Sequence, residues 1–274
     1  MPPISRITLM GTSGVGKTTL ATLLQSAGWF HYSGDYRIAT RYLNEPISDW
    51  LTVLARREPT LAALLRDDAV SVKGKVSIER LHILSAFIGK LGRDGYDART
   101  FIERQRLFAE AERAAMYDVP AFIERAERLY GYQAFINDAG GSICEIDDDA
   151  LIQTLAAHTL FVYIDTDEAL YSELEARAIA YPKPICYHAA FLQEMIGEYS
   201  LMKGGLTPDR FESDDFIRFV MPKMMAHRRA RYLQLAARHG VTLGARDVWQ
   251  VRDAADFNEL LAAACAAQRG EKCR

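Results

Sequence analysis

Gly11-Thr12-Ser13-Gly14-Val15-Gly16-Lys17-Thr18 fits the pattern GxxxxGK[ST]. The spacing has a physical cause. A loop that wraps a phosphate must turn several backbone N–H groups toward its oxygens, and glycine tolerates the backbone angles this needs. The helix that follows offers its unbonded N–H groups and positive dipole end to the same anion. The flanks agree with the match. Residues 4–10, Ile-Ser-Arg-Ile-Thr-Leu-Met, are rich in strand formers, and Leu20, Leu23 and Leu24 recur at helical spacing before Gly28. Strand, phosphate loop and helix are therefore expected in that order. Gly11, Thr12, Ser13, Gly14, Val15, Gly16, Lys17, Thr18 and Thr19 are the candidate nucleotide-binding residues. Lys17 is expected to reach the β- and γ-phosphates of ATP, and Thr18 to place its hydroxyl on Mg²⁺.

Working outward, Trp29–Ser33 reads as a second strand ending at Gly34-Asp35. In a parallel sheet the C-terminal ends of strands line the ligand crevice. Asp35 is therefore a candidate to orient or deprotonate an attacking hydroxyl. Its alternative is an ordinary cap for a helix over Tyr36–Leu43. A third strand is expected over 132–136, followed by Asn137-Asp138-Ala139-Gly140-Gly141. Asp138 is the first candidate acid for the Mg²⁺ shell, ahead of Glu145 and Asp165, and Asp165 reads better as a helix cap. A helix is expected over Asp149–His158 and a strand, apolar enough to be buried on both faces, over 159–164. A helix over Asp167–Ala180, a strand at Val241–Leu243 and a closing helix over Ala254–Ala267 complete the pattern. Strands separated by helices imply an α/β fold with a parallel sheet flanked by helices.

The chain reads as one domain over 1–274, with its core in 1–43 and 134–274. Residues 44–133 form an insertion with helical stretches at Trp50–Arg57, Thr60–Arg66, Ile78–Ile88 and Phe101–Ala115. A hydrophobic fraction of 49% and a charged fraction of 25% over 274 residues exclude disordered, collagen-like and coiled-coil classes. No apolar run approaches the ~20 residues of a membrane helix, and no membrane partner is expected. The first residues do not read as a signal peptide. Cys144, Cys186, Cys265 and Cys273 form no CxxC pair, and the six histidines show no metal spacing. A zinc site or disulfide framework is not expected, and a reducing, cytoplasmic setting is.

The net charge of -3 argues against a protein that coats nucleic acid. Two segments depart from that average. Lys73–Arg106 holds eight Lys/Arg against four Asp/Glu, with Tyr96, Phe101 and Phe108 interleaved. Ile217–Arg238 holds six Lys/Arg and no acid, including His227-Arg228-Arg229-Ala230-Arg231. Each is either a solvated helix face or a site for phosphates.

The phosphate loop, Asp35, Asp138-Ala139-Gly140-Gly141, Phe161–Arg177 and Arg228–Tyr232 together resemble the P-loop small-molecule and nucleotide kinases, in an order close to shikimate and gluconate kinases. The resemblance implies transfer of the γ-phosphoryl group of Mg-ATP to a hydroxyl, an acid at Asp35 that holds that hydroxyl, and a lid over about 181–216. Arg177, Lys183, Arg228 and Arg231 are the candidates to neutralise the transferring group, with Lys17. The long insertion departs from that pattern and implies a bulkier acceptor. One phage-associated group of such kinases acts on 5-hydroxymethyluracil in DNA. That modified DNA is the sharpest acceptor the resemblance implies. A free nucleoside, a sugar-like metabolite, or a hydrolytic ATPase switch are the alternatives.

Overall fold

The computed structural model describes residues 4–74, 76–78 and 80–272, with side chains described to Gln268. Lys75 of the first basic segment, Cys273 and the first three residues lie outside the described residues.

Five strands form one sheet: β1 (Arg6–Met10), β2 (Trp29–Ser33), β3 (Ala134–Asp138), β4 (Leu160–Asp165) and β5 (Gly240–Gly244). Their order is β2-β3-β1-β4-β5, and every neighbouring pair is parallel. Parallel strands need crossovers, and helices supply them. α1 (Lys17–Ser26) leads from β1 to β2. One turn, α2 (Gly34–Arg37), and a π-helical turn, Ile38–Tyr42, follow β2. Then come α3 (Asn44–Ala55), α4 (Pro59–Arg66), α5 (His82–Ile88), α6 (Ala98–Tyr117) and α7 (Val119–Tyr130) before β3. α8 (Asp149–His158) precedes β4. Between β4 and β5 lie α9 (Glu168–Ala180), α10 (Ala189–Met202) and α11 (Ser213–His239), and α12 (Ala245–Gln250) and α13 (Ala254–Lys272) close the chain.

Side chains alternate across the sheet, as strand geometry requires. Ile7, Leu9, Val162 and Ile164 join Leu20 and Leu24 of α1 and Phe257 of α13 in one apolar cluster. Met10, Phe135, Phe161 and Tyr163 join Ile123 of α7, Leu155 of α8 and Tyr232 of α11 in the other. β4 is buried on both faces, as its sequence implied. No described helix is long and apolar enough to cross a membrane.

Several elements differ in extent from the sequence expectations: α3 and α6 start earlier than expected, and β3 and α5 start later, the last two for a local reason. β3 starts two residues later than expected. Gly131 sits in the left-handed region at φ 72°, and the N–H of Tyr132 bonds the carbonyl of Ala126. This is a glycine helix stop, so Tyr132 and Gln133 form the turn that leaves α7, and the strand begins at Ala134 and runs on to Asp138. α5 starts at His82 because Ser77 and Arg80 close a turn ahead of it. The segment expected as a lid, 181–216, contains α10 and the first turn of α11. Within 44–133, α7 packs directly on β2 and β3 and serves as their crossover, whereas α3 to α6 build outward from the end of β2.

Candidate functional site

The loop between β1 and α1 has the backbone its glycines permit. Gly14 and Gly16 take φ 93° and 102°, and Gly16 caps α1 in the left-handed conformation. A side chain at either position would be strained. The N-terminus of α1 therefore faces an open concavity. Lys17 crosses it, its Nζ donating to the carbonyls of Gly11 at 2.7 Å and Thr12 at 3.2 Å. Burial lowers the affinity of Lys17 for its proton, against the opposing pull of Asp138 and Asp35.

A cavity of about 790 Å³ opens from this loop. Of the candidate residues, Thr12, Ser13, Gly14, Gly16, Lys17, Thr18 and Thr19 line it, together with Asp35, Asp138, Arg177 and Arg228. Gly11 and Val15 do not, because both are buried beneath the loop. Arg231 does not either. Its guanidinium donates to the carbonyl of Cys144 at 2.6 Å and to Asp147 at 2.5 Å. The sequence order could not show this, since Arg228 and Arg231 share a helix but point to different partners.

The acids divide by position. Thr18 donates from its Oγ1 to Asp138 at 3.1 Å, at the end of β3. Asp165 does not cap α9; Asp167 does, accepting from the N–H of Leu170. Asp165 instead takes Tyr163 and Arg229, at 2.8 and 3.1 Å. Glu145 is spent on a two-pronged pair with Arg228, both contacts at 3.0 Å. Asp138 is thus the acid left beside Thr18. Their hydroxyl and carboxylate oxygens suit Mg²⁺, which takes one or two carboxylates and completes its shell with water and phosphate oxygens. No larger metal-holding cluster of His, Cys, Asp and Glu occurs among the described residues.

Asp35 is not a helix cap. Ser33 holds that role, its Oγ accepting from the N–H of Tyr36. Asp35 lies inside the first turn of α2 and faces the cavity. The π-helical turn behind it is closed by the N–H of Leu43 on the carbonyl of Ile38 and anchored by Asp118, which takes both Arg37 and Tyr42. Burial, then the nearby Asp138 charge, push Asp35 up to about 6, with Lys17 opposing. It remains ionised at neutral pH and basic enough to hold a proton in passing.

Arg177 of α9 lies against the loop; a Cβ on Gly14 would collide with its guanidinium. Lys183 lines the cavity beside it. Arg228 is buried, and its pair with Glu145 outweighs the cost of burial and holds it charged. A further bond to the carbonyl of Cys186 at 2.6 Å makes it a strut between α11 and the 181–188 segment.

Three residues of the site escaped the sequence reading. His31, one of the six histidines without metal spacing, lines the cavity with its Nε2 3.5 Å from Asp138. Trp249 of α12 donates to the carbonyl of Val15 at 2.9 Å and clasps the loop from outside. Nothing in its local sequence ties it to the loop. Trp249→Phe is expected to cost about 1 kcal/mol by leaving that carbonyl unpaired. A fall of about 2–4 °C in melting temperature by circular dichroism would register it, and an unchanged melt would mean the bond contributes nothing.

Glu112 of α6 is the third. It is 2% exposed, with Oε2 held by Ser142 at 2.6 Å and Oε1 without a partner. A Cβ on Gly140 would stand 2.6 Å from Glu112 Oε1 and 3.1 Å from Asp35 Oδ1, so only a glycine lets the two carboxyls approach there. Burial pushes Glu112 up to about 8; Ser142 opposes this and the Asp35 charge adds to it. An acid four residues after Phe108 and three before Ala115, on the apolar stripe of α6, was the signal available in the sequence. The native state holds this proton more tightly than the unfolded chain. Its stabilising effect is full below about pH 4.5 and is lost as pH rises through about 8. Between those limits, wild type should lose up to about 1.4 kcal/mol per pH unit relative to Glu112→Gln. Parallel urea melts at pH 5 and pH 8 measure this; equal differences at both would place Glu112 in its ionised form.

No protein-family model matches the sequence, and no curated protein matches it. Among the solved structures that resemble the chain are two distant ones. A shikimate kinase from Bacteroides thetaiotaomicron shows 15% identity and a TM-score of 0.40, covering 94% of this chain and 95% of its own. A gluconokinase from Sinorhizobium meliloti 1021 shows 13% identity and a TM-score of 0.22, covering 85% and 97%. Likenesses at this level carry no weight for activity, so the function is read from the site itself.

Proposed function

We propose that the protein is an ATP-dependent kinase that phosphorylates a hydroxyl of a small-molecule acceptor. One observation carries the reading: the phosphate loop with Lys17, the Thr18–Asp138 pair and the raised carboxyl of Asp35 all line one cavity. Asp35 orients the acceptor and takes its hydroxyl proton as the acceptor oxygen bonds to the γ-phosphorus and the bond from that phosphorus to the β-phosphate oxygen breaks, releasing ADP. Lys17, Arg177 and Lys183 supply positive charge where the transferring group carries spread negative charge. Thr18 and Asp138 would hold Mg²⁺, which neutralises charge on the β- and γ-oxygens.

A DNA acceptor would need the two basic segments free to hold its phosphates. Much of their charge is engaged. Lys90 pairs with Asp214, Arg93 with Glu212, and Arg106 with Glu103 and Glu110. In α11, Arg228, Arg229 and Arg231 pair with Glu145, Asp165 and Asp147. Phe101 and Phe108 are buried and Tyr96 lies under Arg104, so none of the three is free to stack a base on an exposed surface. We therefore place the acceptor among small molecules. Transfer of label from γ-³²P-ATP with Mg²⁺ tests this against small alcohols, free nucleosides and 5-hydroxymethyluracil duplex DNA. Label on a small alcohol or nucleoside supports the proposal. Label on the DNA alone would restore the polymer acceptor, and free phosphate alone would make the protein a hydrolytic switch.

A further inference from the structure

The acceptor end of the cavity has a chemistry of its own. Residues 44–133 face the cavity, among the described residues, through Ile78, Leu81, Leu84, Ser85, Ile88 and Phe108. Five of these are apolar and the sixth offers one hydroxyl. The wall stands on the Asp35 side of the sheet, because α5 packs on α6, and α6 packs on α2 and the π-helical turn. The wall from α11 is Met221, Met224 and Met225. Methionine adapts its shape to an apolar guest.

The cavity's charges are accounted for elsewhere. Lys17, Arg177 and Lys183 line it without a carboxylate partner among the described residues, and the kinase reading assigns all three to the triphosphate. Arg228 is committed to Glu145. On that reading no lysine or arginine of the lining remains for an acceptor carboxylate or phosphate. Of the other polar groups in the lining, Ser142 bonds Glu112 and Ser33 caps α2, which leaves the Ser85 hydroxyl and the His31 ring beside the apolar wall. A polyhydroxylated acceptor would leave most of its hydroxyls unbonded against this wall, which is unfavourable for each one buried.

We propose that the acceptor is an alcohol borne on an apolar body, aromatic or aliphatic, and that Ile78, Leu81, Leu84, Ile88 and Phe108 recognise that body. The inference rests on the kinase reading for the hydroxyl, but its recognition of the body can be measured apart from turnover. The protein is saturated with Mg²⁺ and a non-hydrolysable ATP analogue. Saturation-transfer NMR then titrates 2-phenylethanol and cyclohexylmethanol against ribitol and gluconate. The apolar pair should bind, and ribitol and gluconate should not. Leu81 is only half-buried, so Leu81→Asn is expected to fold and to weaken the apolar pair about tenfold. If it fails to fold, the half-buried Ile78→Asn serves the same comparison. Binding of ribitol or gluconate in preference, binding by neither class, or apolar binding that neither variant weakens would overturn the proposal. Incubation of the bound alcohols with Mg-ATP is scored separately. Binding without a phosphorylated product would overturn the kinase reading and leave the wall assignment standing. Product from ribitol alone would do the reverse.

Discussion

Lys17→Ala is expected to lower phosphoryl transfer on the order of a thousandfold and to leave the fold intact. The ammonium bonds only to two carbonyls of its own loop, so nothing in the sheet depends on it. Burial works against its charge, and removing it relieves that cost. The loss instead falls on the reaction, where a fixed positive charge meets the developing charge of the transferring group in a partly desolvated site. Lys17→Arg should not restore activity, because a planar guanidinium cannot replace a compact ammonium in the same concavity. Single-turnover rates and a thermal melt on the same preparations decide it. Wild-type turnover in Lys17→Ala would remove the phosphate loop from the mechanism.

Asp35→Asn is expected to reduce kcat by about a hundred- to ten-thousandfold, the range for a lost general base. ATP affinity should change little, since Thr18 bonds Asp138 and not Asp35. The pH profile gives an independent readout. Asp35 must be ionised to accept a proton, and its surroundings push it up to about 6. Wild-type activity should therefore fall as pH drops through about 6. The residual activity of Asp35→Asn should lack that limb. Loss of ATP binding with kcat preserved would assign Asp35 to the metal shell instead.

The central part of the fold was legible because its signals are local. A glycine-rich loop between a strand and a leucine-spaced helix has few other readings, and β4 is apolar on both faces. That Asp35 and Asp138 face the cavity was legible because strand ends in a parallel sheet line the crevice. What failed depends on distance. Arg228 and Arg231 look alike in sequence, yet one is buried against Glu145 and the other is tied to Asp147. Asp165 and Asp167 both precede α9, but β4 runs to Asp165 and the helix starts at Glu168, so Asp167 caps it and Asp165 is left for Arg229. Trp249 reaches Val15 across more than two hundred residues, and Glu112 meets Asp35 only because α6 folds back over Gly140. Pairings of that kind are set by packing, not by neighbours in the chain.

The sheet order also governs when this site can exist on a ribosome. β1 is central, and its two partners are β3 and β4, with Arg6 beside Phe135 and Ile7 beside Leu160. The strand that carries the phosphate loop is thus made about 130 residues before any strand it pairs with. At about 5–20 residues per second, that interval is on the order of 10 s. For that time the nascent segment holds Ile7, Leu9 and Met10 with both edges unpaired, a target for chaperones or for another nascent chain. The loop that is read first in the sequence gains its flanking strands only once residues 134–165 have been made.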